Sequence, residues 1–132
     1  MPRSPGSLTI HKAISVLRAF SIDSPTMKLQ QLTEKTNLPK STVHRLLVAL
    51  QNENFITHDP VTGTYGLGFD VVVLAGSLLA SLDFRKIAIP YMRQLGDRWH
   101  ETVCLDVLKG ANIIIMEQIP GQHFARSGGT FG

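Results

Sequence analysis

The run Lys40-Ser41-Thr42-Val43-His44-Arg45 gathers two fixed cations, two hydroxyls and an imidazole, and no carboxylate occurs from Pro39 to Asn52. Read as a helix from about Lys40 to Asn52, this segment spaces Val43, Leu46, Leu47 and Leu50 three and four apart as an inward stripe. Lys40, Ser41, Thr42, His44, Arg45 and Gln51 are then left on the other face. Such a face suits a polyanion. Backbone N–H groups and short hydroxyls at the positive end of a helix hold phosphate. One turn deeper, His44 and Arg45 reach base edges, and a guanidinium matches the two major-groove acceptors of guanine. A carboxylate here would repel the phosphates. On an isolated helix, a polar face of this kind is more often merely solvated surface, so the neighbouring elements decide its meaning.

Those neighbours have a definite order. Leu8 to Phe20 carries Ile10, Ala13, Ile14, Leu17 and Phe20 at helical spacing, and Asp23-Ser24-Pro25 closes that helix. A short second helix, about Leu29 to Lys35, directs Leu29 and Leu32 inward. The turn Thr36-Asn37-Leu38-Pro39 follows, with Asn37 suited to a left-handed conformation. Beyond the third helix, Phe55-Ile56-Thr57-His58 and Thr64-Tyr65-Gly66-Leu67 read as strands joined by Asp59-Pro60-Val61-Thr62-Gly63. Helix, turn, helix and hairpin in that order form a winged helix-turn-helix, in which the second motif helix enters the major groove. The expected DNA-binding set is Lys40, Ser41, Thr42, His44 and Arg45, with Thr62 and Tyr65 on the wing and Lys28 and Gln30 at the head of the second helix.

Further along, Phe69 to Leu82 is nearly all apolar and predicts a helix buried on several sides, linking domains or packing on a partner subunit. Phe84 to Trp99 predicts another helix, with Pro90 as an early kink or restart. Thr102 to Val107 and Ile113 to Ile119 read as strands around Lys109-Gly110-Ala111-Asn112. The first residues, Met1 to Ser7, read as a loose tail, and Gly121 to Gly132 shows no periodicity.

The runs Leu38-Pro39-Lys40-Ser41-Thr42-Val43-His44-Arg45-Leu46-Leu47 and Asp59-Pro60-Val61-Thr62-Gly63-Thr64-Tyr65-Gly66-Leu67-Gly68 closely resemble the IclR-type (isocitrate lyase regulator-like) transcription factors. The resemblance extends over roughly Ser7 to Ile119, taking in Ala13, Leu17, Ile87-Ala88-Ile89-Pro90 and Glu101-Thr102-Val103. It implies a winged helix-turn-helix, an interdomain helix and an effector domain with a twisted sheet that takes a small acidic or aromatic metabolite. Three positions depart from the family pattern. Thr33 stands where alanine is usual, Asn54 where a glycine commonly ends helix three, and Gly66 where the wing strand is often basic.

The expected fold is therefore α+β: a winged helix-turn-helix over 7–68 (motif about 29–48, wing 55–67), a linker helix over 69–82, and an incomplete α/β effector-binding domain over 83–132, limited to its first helix and hairpin. The expected function is a DNA-binding transcriptional regulator, repressor or activator, acting as a homodimer or dimer of dimers on a palindromic operator of double-stranded DNA. A small-molecule effector is expected only where the effector domain is complete, and the chain is expected to be a fragment or a truncated product. The alternative is a winged-helix module for protein–protein assembly without DNA binding, which has no need of basic and hydroxyl residues on helix three.

Other chemistry lacks support in the residues. The net charge of +3 accords with a polyanionic partner without identifying one. The single cysteine, Cys104, excludes an internal disulfide and is expected to be a buried, inert thiol on a strand. The five histidines show no ligand spacing. Gly63, Gly66 and Gly68 lack the strand-then-helix context and lysine of a phosphate loop. No metal, cofactor or enzymatic activity is expected, and Trp99 and Phe84 are expected to pack rather than stack on a ligand. With no apolar leader or membrane-length segment, the expected location is the cytoplasm.

Overall fold

The computed structural model describes residues 5–122 and divides after Leu74 into two compact units. The first contains α1 (Pro5–Ala19), β1 (Thr26–Lys28), α2 (Leu29–Thr36), α3 (Lys40–Asn52), β2 (Ile56–Asp59) and β3 (Thr64–Leu67). Helix α4 (Asp70–Ser81) crosses the division, and the second unit adds α5 (Asp83–Trp99), β4 (Val103–Lys109) and β5 (Asn112–Ile119). The α+β class holds.

Helix α1 begins three residues before the expected start at Leu8, so Pro5, Gly6 and Ser7 are helical rather than part of a loose tail. Proline suits a first helical position: its ring presets φ, and the N–H it lacks would have had no intrahelical partner. The buried side of α1 also differs from the expected stripe. Val16, Ala19 and Phe20 are buried with Ala13 and Leu17 against them, whereas Ile10 and Ile14 are exposed. The spacing was right and the face rotated, because α2 and α3 cover α1 only on its Val16 side.

The core of this unit joins Val16, Ala19 and Phe20 of the first helical segment to Leu32 of α2, Val43, Leu46 and Leu47 of α3, and Met27, Ile56 and Tyr65 from the sheet. Each fully buried aliphatic side chain contributes roughly 1.5–3 kcal/mol relative to exposure. The sheet has the order β1-β3-β2, antiparallel throughout. Strand β1, absent from the sequence-based expectation, pairs Met27 with Tyr65 and Lys28 with Thr64. Three residues are too few to show an alternating pattern, and only the pairing makes them a strand.

Two asparagines take the left-handed backbone at helix ends. Asn37, at φ 55°, closes α2 with its N–H donated to the Thr33 carbonyl at 3.1 Å. Asn54, at φ 62°, follows α3, so asparagine serves where glycine is usual. Gly68 is required for another reason: a Cβ there would lie 2.1 Å from the Asn54 carbonyl oxygen. The bare glycine lets its N–H reach the Phe55 carbonyl at 2.8 Å.

Helix α4, expected to be buried by linking domains or packing on a partner subunit, is uncovered within the single chain. None of its residues is buried, and Val72 and Val73 are each 64% exposed. Its apolar composition is not matched by any covering element among the described residues of its own unit.

In the second unit α5 runs through Pro90 without restarting and ends at His100, whose left-handed φ of 57° and N–H bond to Gly96 stop it. Strands β4 and β5 pair antiparallel from Val103↔Ile119 to Lys109↔Asn112, with an irregularity between Leu105 and Asp106. The turn is thus only Gly110-Ala111, and Gly110 supplies its φ of 61°. Arg85 of α5 forms an ion pair with Glu117 of β5. Among the described residues of this unit, Met92 is the buried apolar one. One expectation, the buried thiol, fails in this unit. Cys104 is exposed, because alternate residues of β4 face away from α5. Phe84 and Trp99 are also exposed, and Trp99 carries the Arg98 guanidinium 5.4 Å from its ring centre. The expectations for Met1 to Ser4 and for 123–132 lie outside the described residues.

Candidate nucleic-acid interface

Helix α3 begins directly after Pro39, which accepts from the Val43 N–H at 3.0 Å but offers no side chain to cap the turn. Most helices place Ser, Thr, Asp or Asn at this position to satisfy the first N–H groups. Here the amides of Lys40, Ser41 and Thr42 precede the first intrahelical bond and have no side-chain cap. Their partial positive charge adds to that of Lys40, and the first turn contains no acidic residue. The site is therefore an uncapped helix start bearing one ammonium and two hydroxyls, which is donor-rich throughout.

Burial of Val43, Leu46 and Leu47 fixes which way the helix presents its other residues. Lys40, Ser41, His44 and Arg45 are exposed and Thr42 is half-buried. With 3.6 residues per turn, the line directly opposite the core passes through Ser41, Arg45, Val48 and Asn52. Val48 and Asn52 were missing from the sequence-based set, although helical arithmetic from Arg45 would have found both. His44 lies to one side of that line. No carboxylate is found on α3.

The wing is a hairpin whose tip is tied to itself. The Asp59 carboxylate accepts from the Val61 N–H at 2.9 Å, and the Thr62 and Thr64 hydroxyls are 2.7 Å apart. The Val61 N–H, and after it the Thr62 hydroxyl, holds the Asp59 carboxyl below the ordinary carboxylate range. Gly63, at φ 70°, donates to the Asp59 carbonyl at 2.8 Å and returns the chain to β3. Thr62 is exposed at this tip.

The other expected residues are distributed unevenly. Lys28 is exposed and pairs in register with Thr64, so the third strand brings it to the tip end of the sheet near Thr62. Its own N–H donates to Gln31 Oε1 at 2.8 Å, which fixes the entry into α2. Gln30 is exposed, and its amide donates to the Glu34 carboxylate at 3.4 Å. Tyr65 is not brought to the surface with them. It is 8% exposed, belongs to the core and lies against His58, with ring centres 4.4 Å apart. Alternation along β3 turns Tyr65 inward on the same face as its cross-strand partner His58, and leaves the wing's outer face to Thr57, Gly66 and the tip. At the first position of departure, the Thr33 hydroxyl bonds to the Leu29 carbonyl at 2.8 Å within its own helix. At the third, Gly66 has room for a Cβ at ordinary contact distances.

Among the described residues, no group of three or more His, Cys, Asp or Glu side chains is placed to hold a metal ion, and no helix is long and apolar enough to cross a membrane.

The model of the IclR helix-turn-helix domain matches residues 9–60. The chain is 35% identical over 119 residues to the HTH-type transcriptional regulator KipR of Bacillus subtilis, covering 89% of this chain and 46% of that protein. It is 26% identical over 126 residues to the transcriptional repressor IclR of Escherichia coli, covering 94% of this chain and 46% of the repressor. A crystal structure of an IclR-family transcriptional regulator from Brucella abortus superposes with a TM-score of 0.77 at 27% identity, over 87% of this chain and 44% of that one. The chain thus spans a little under half the length of the relatives it matches, all three of which are regulators rather than enzymes.

Proposed function

Through residues 9–60 this chain belongs to the IclR helix-turn-helix family, and from that premise we propose that it is a DNA-binding transcriptional regulator whose α3 enters the major groove. The observation that carries the proposal is the uncapped, acid-free start of α3, where Lys40, Ser41 and Thr42 offer donors for a phosphate while Arg45 projects opposite the core. Lys28 and Thr62, at the tip end of the sheet, serve as flanking backbone contacts. Tyr65 acts by holding the wing on the core.

The proposed division is a winged helix-turn-helix over 7–68, a linker helix over 69–82 and the beginning of an effector-binding domain over 83–132. One recognition helix covers few base pairs, so the proposal includes a dimer on a palindromic operator. The exposed apolar residues Val72, Val73, Leu74 and Leu78 of α4 support an association surface on that helix. Metabolite control and a cytoplasmic setting are assigned to the full-length form.

A gel-shift titration on a selected site tests the reading. Affinity should fall steeply with salt as phosphate contacts release counterions. Arg45→Ala should lose about 1–3 kcal/mol on the specific site if Arg45 reads a base. Unchanged specific affinity in that variant would refute the assignment. Self-association without any DNA binding would favour the assembly-module alternative.

A further inference from the structure

Val48 is the apolar member of the outward line of α3. It is 42% exposed, although its neighbours Leu46 and Leu47 are buried in the core. It lies three residues beyond Arg45 on nearly the same face, about 4.5 Å farther along the helix axis. That rise is a little more than one base-pair step of about 3.4 Å. The outward position has no structural need for valine, since a β-branched residue has lower helix propensity than the straight-chain polar residues that favour solvent.

We propose that Val48 is a specificity-determining residue that packs on the 5-methyl group of a thymine, next to the base pair read by Arg45. This inference rests on the reading of α3 as the groove-entering helix. The major groove presents one apolar group, the thymine methyl, and a short aliphatic side chain is the chemical complement to it. Serine or asparagine at this position would recognise a donor or acceptor, and a long cation would reach the phosphates. Valine can do neither. A pair made of a guanine-reading arginine and a methyl-reading valine distinguishes a guanine-thymine step from its cytosine- and uracil-containing counterparts. The methyl is the only difference between thymine and uracil, so the contact can be isolated chemically.

The experiment first selects a preferred site from random duplexes with the intact chain. Each thymine in that site is then replaced singly by deoxyuridine. One replacement, adjacent to the position where Arg45→Ala relaxes selection, should weaken wild-type binding about fourfold, the effect of one buried methyl-sized group. Val48→Ala should bind the thymine and deoxyuridine sites equally, while Val48→Ile should keep the discrimination. Both substitutions are on an exposed position and should leave the fold intact, with Val48→Ala no less stable than the wild type. If a site is selected and Arg45→Ala relaxes it, yet no thymine is sensitive to methyl removal, the Val48 assignment falls and groove reading by α3 stands. If Val48→Ala retains the full methyl sensitivity, the assignment also falls. Failure to select any site overturns both readings together.

Discussion

The residues up to Leu74 and those after it are comparably rich in apolar side chains, but they bury them very differently. The first unit collects ten buried residues from three helical segments and a three-stranded sheet. In the second, Met92 is buried between one helix and one hairpin, while Leu108, Ile113 and Ile115 remain exposed. An apolar face contributes stability only when another layer covers it, and among the described residues a helix and a hairpin cover one side of each other. Apolar content is therefore a poor guide to order. The number of elements that converge on one point decides, and among the described residues the first unit has three helical segments and a sheet where the second has one helix and one hairpin.

The sharpest way to break this comparison is to remove a central side chain from the first unit. Leu47 is fully buried where α3 meets α1, α2 and the sheet. Leu47→Ala should cost about 2–5 kcal/mol, a large share of a small domain's stability. Urea denaturation followed by circular dichroism would register it, with DNA binding lost in parallel. A cost under about 1 kcal/mol would mean that the first unit is not the cooperative core described here.

Gly68→Ala probes the same unit through the backbone. The new Cβ would meet the Asn54 carbonyl oxygen at 2.1 Å, a contact that only a backbone shift can relieve. A loss of about 1–3 kcal/mol is expected, of the size found for overpacking. Gly66→Ala, with neighbours no closer than 3.5 Å, is the matched control and should be far milder. Equal melting temperatures for the two variants would contradict the close approach of Gly68 to Asn54.

On the other side of the comparison, Ile113→Ser in β5 should change stability by no more than about 0.5 kcal/mol, since Ile113 is 69% exposed. The same substitution at Ile56, which is 1% exposed on β2, should be severely destabilising. Thermal denaturation of the two variants would show whether the exposed face of the second hairpin is as uncovered in solution as it is in this chain.

How much of this was legible in the sequence differs between the same two regions. The periodicity of Val43, Leu46 and Leu47 located α3 and its solvent face, and Asn37 and Asp59–Gly63 marked the turns, because each signal is local. Strand β1 was invisible because Thr26–Lys28 is defined by pairing with β3 rather than by its own pattern. Tyr65 was assigned to the DNA face because an aromatic on a wing suits either role, and only the register with Met27 directs it inward. For α4, composition implied burial, but burial depends on what lies opposite, and a single chain's residue types contain no statement of that. Cys104 was misplaced for a related reason: alternation fixes two faces of β4 without saying which one α5 covers.

The smallest expected effect separates the two hairpins rather than the two cores. The β2–β3 tip is fastened by the Asp59 carboxylate, which accepts from Val61 and is held below its ordinary range by that bond and by the Thr62 hydroxyl. The β4–β5 turn, Gly110-Ala111, contains no titrating group. A carboxyl group depressed in the folded state contributes stability that is fully present above its unfolded value and disappears as pH falls through the folded one. The wing tip should therefore be unaffected from neutrality down to the ordinary carboxylate range and loosen only below it. Asp59 is fully exposed, so solvent screening keeps the effect local. Amide exchange at Val61, corrected for the intrinsic pH dependence of exchange, should lose protection in acid, whereas Gly110 and Ala111 should not respond. In Asp59→Asn, whose amide oxygen can still accept the bond, the Val61 response to acid should vanish while most protection at neutral pH remains. Acid-induced loss of protection at Val61 that persists in Asp59→Asn would move the cause elsewhere in the wing and remove this distinction between the hairpins.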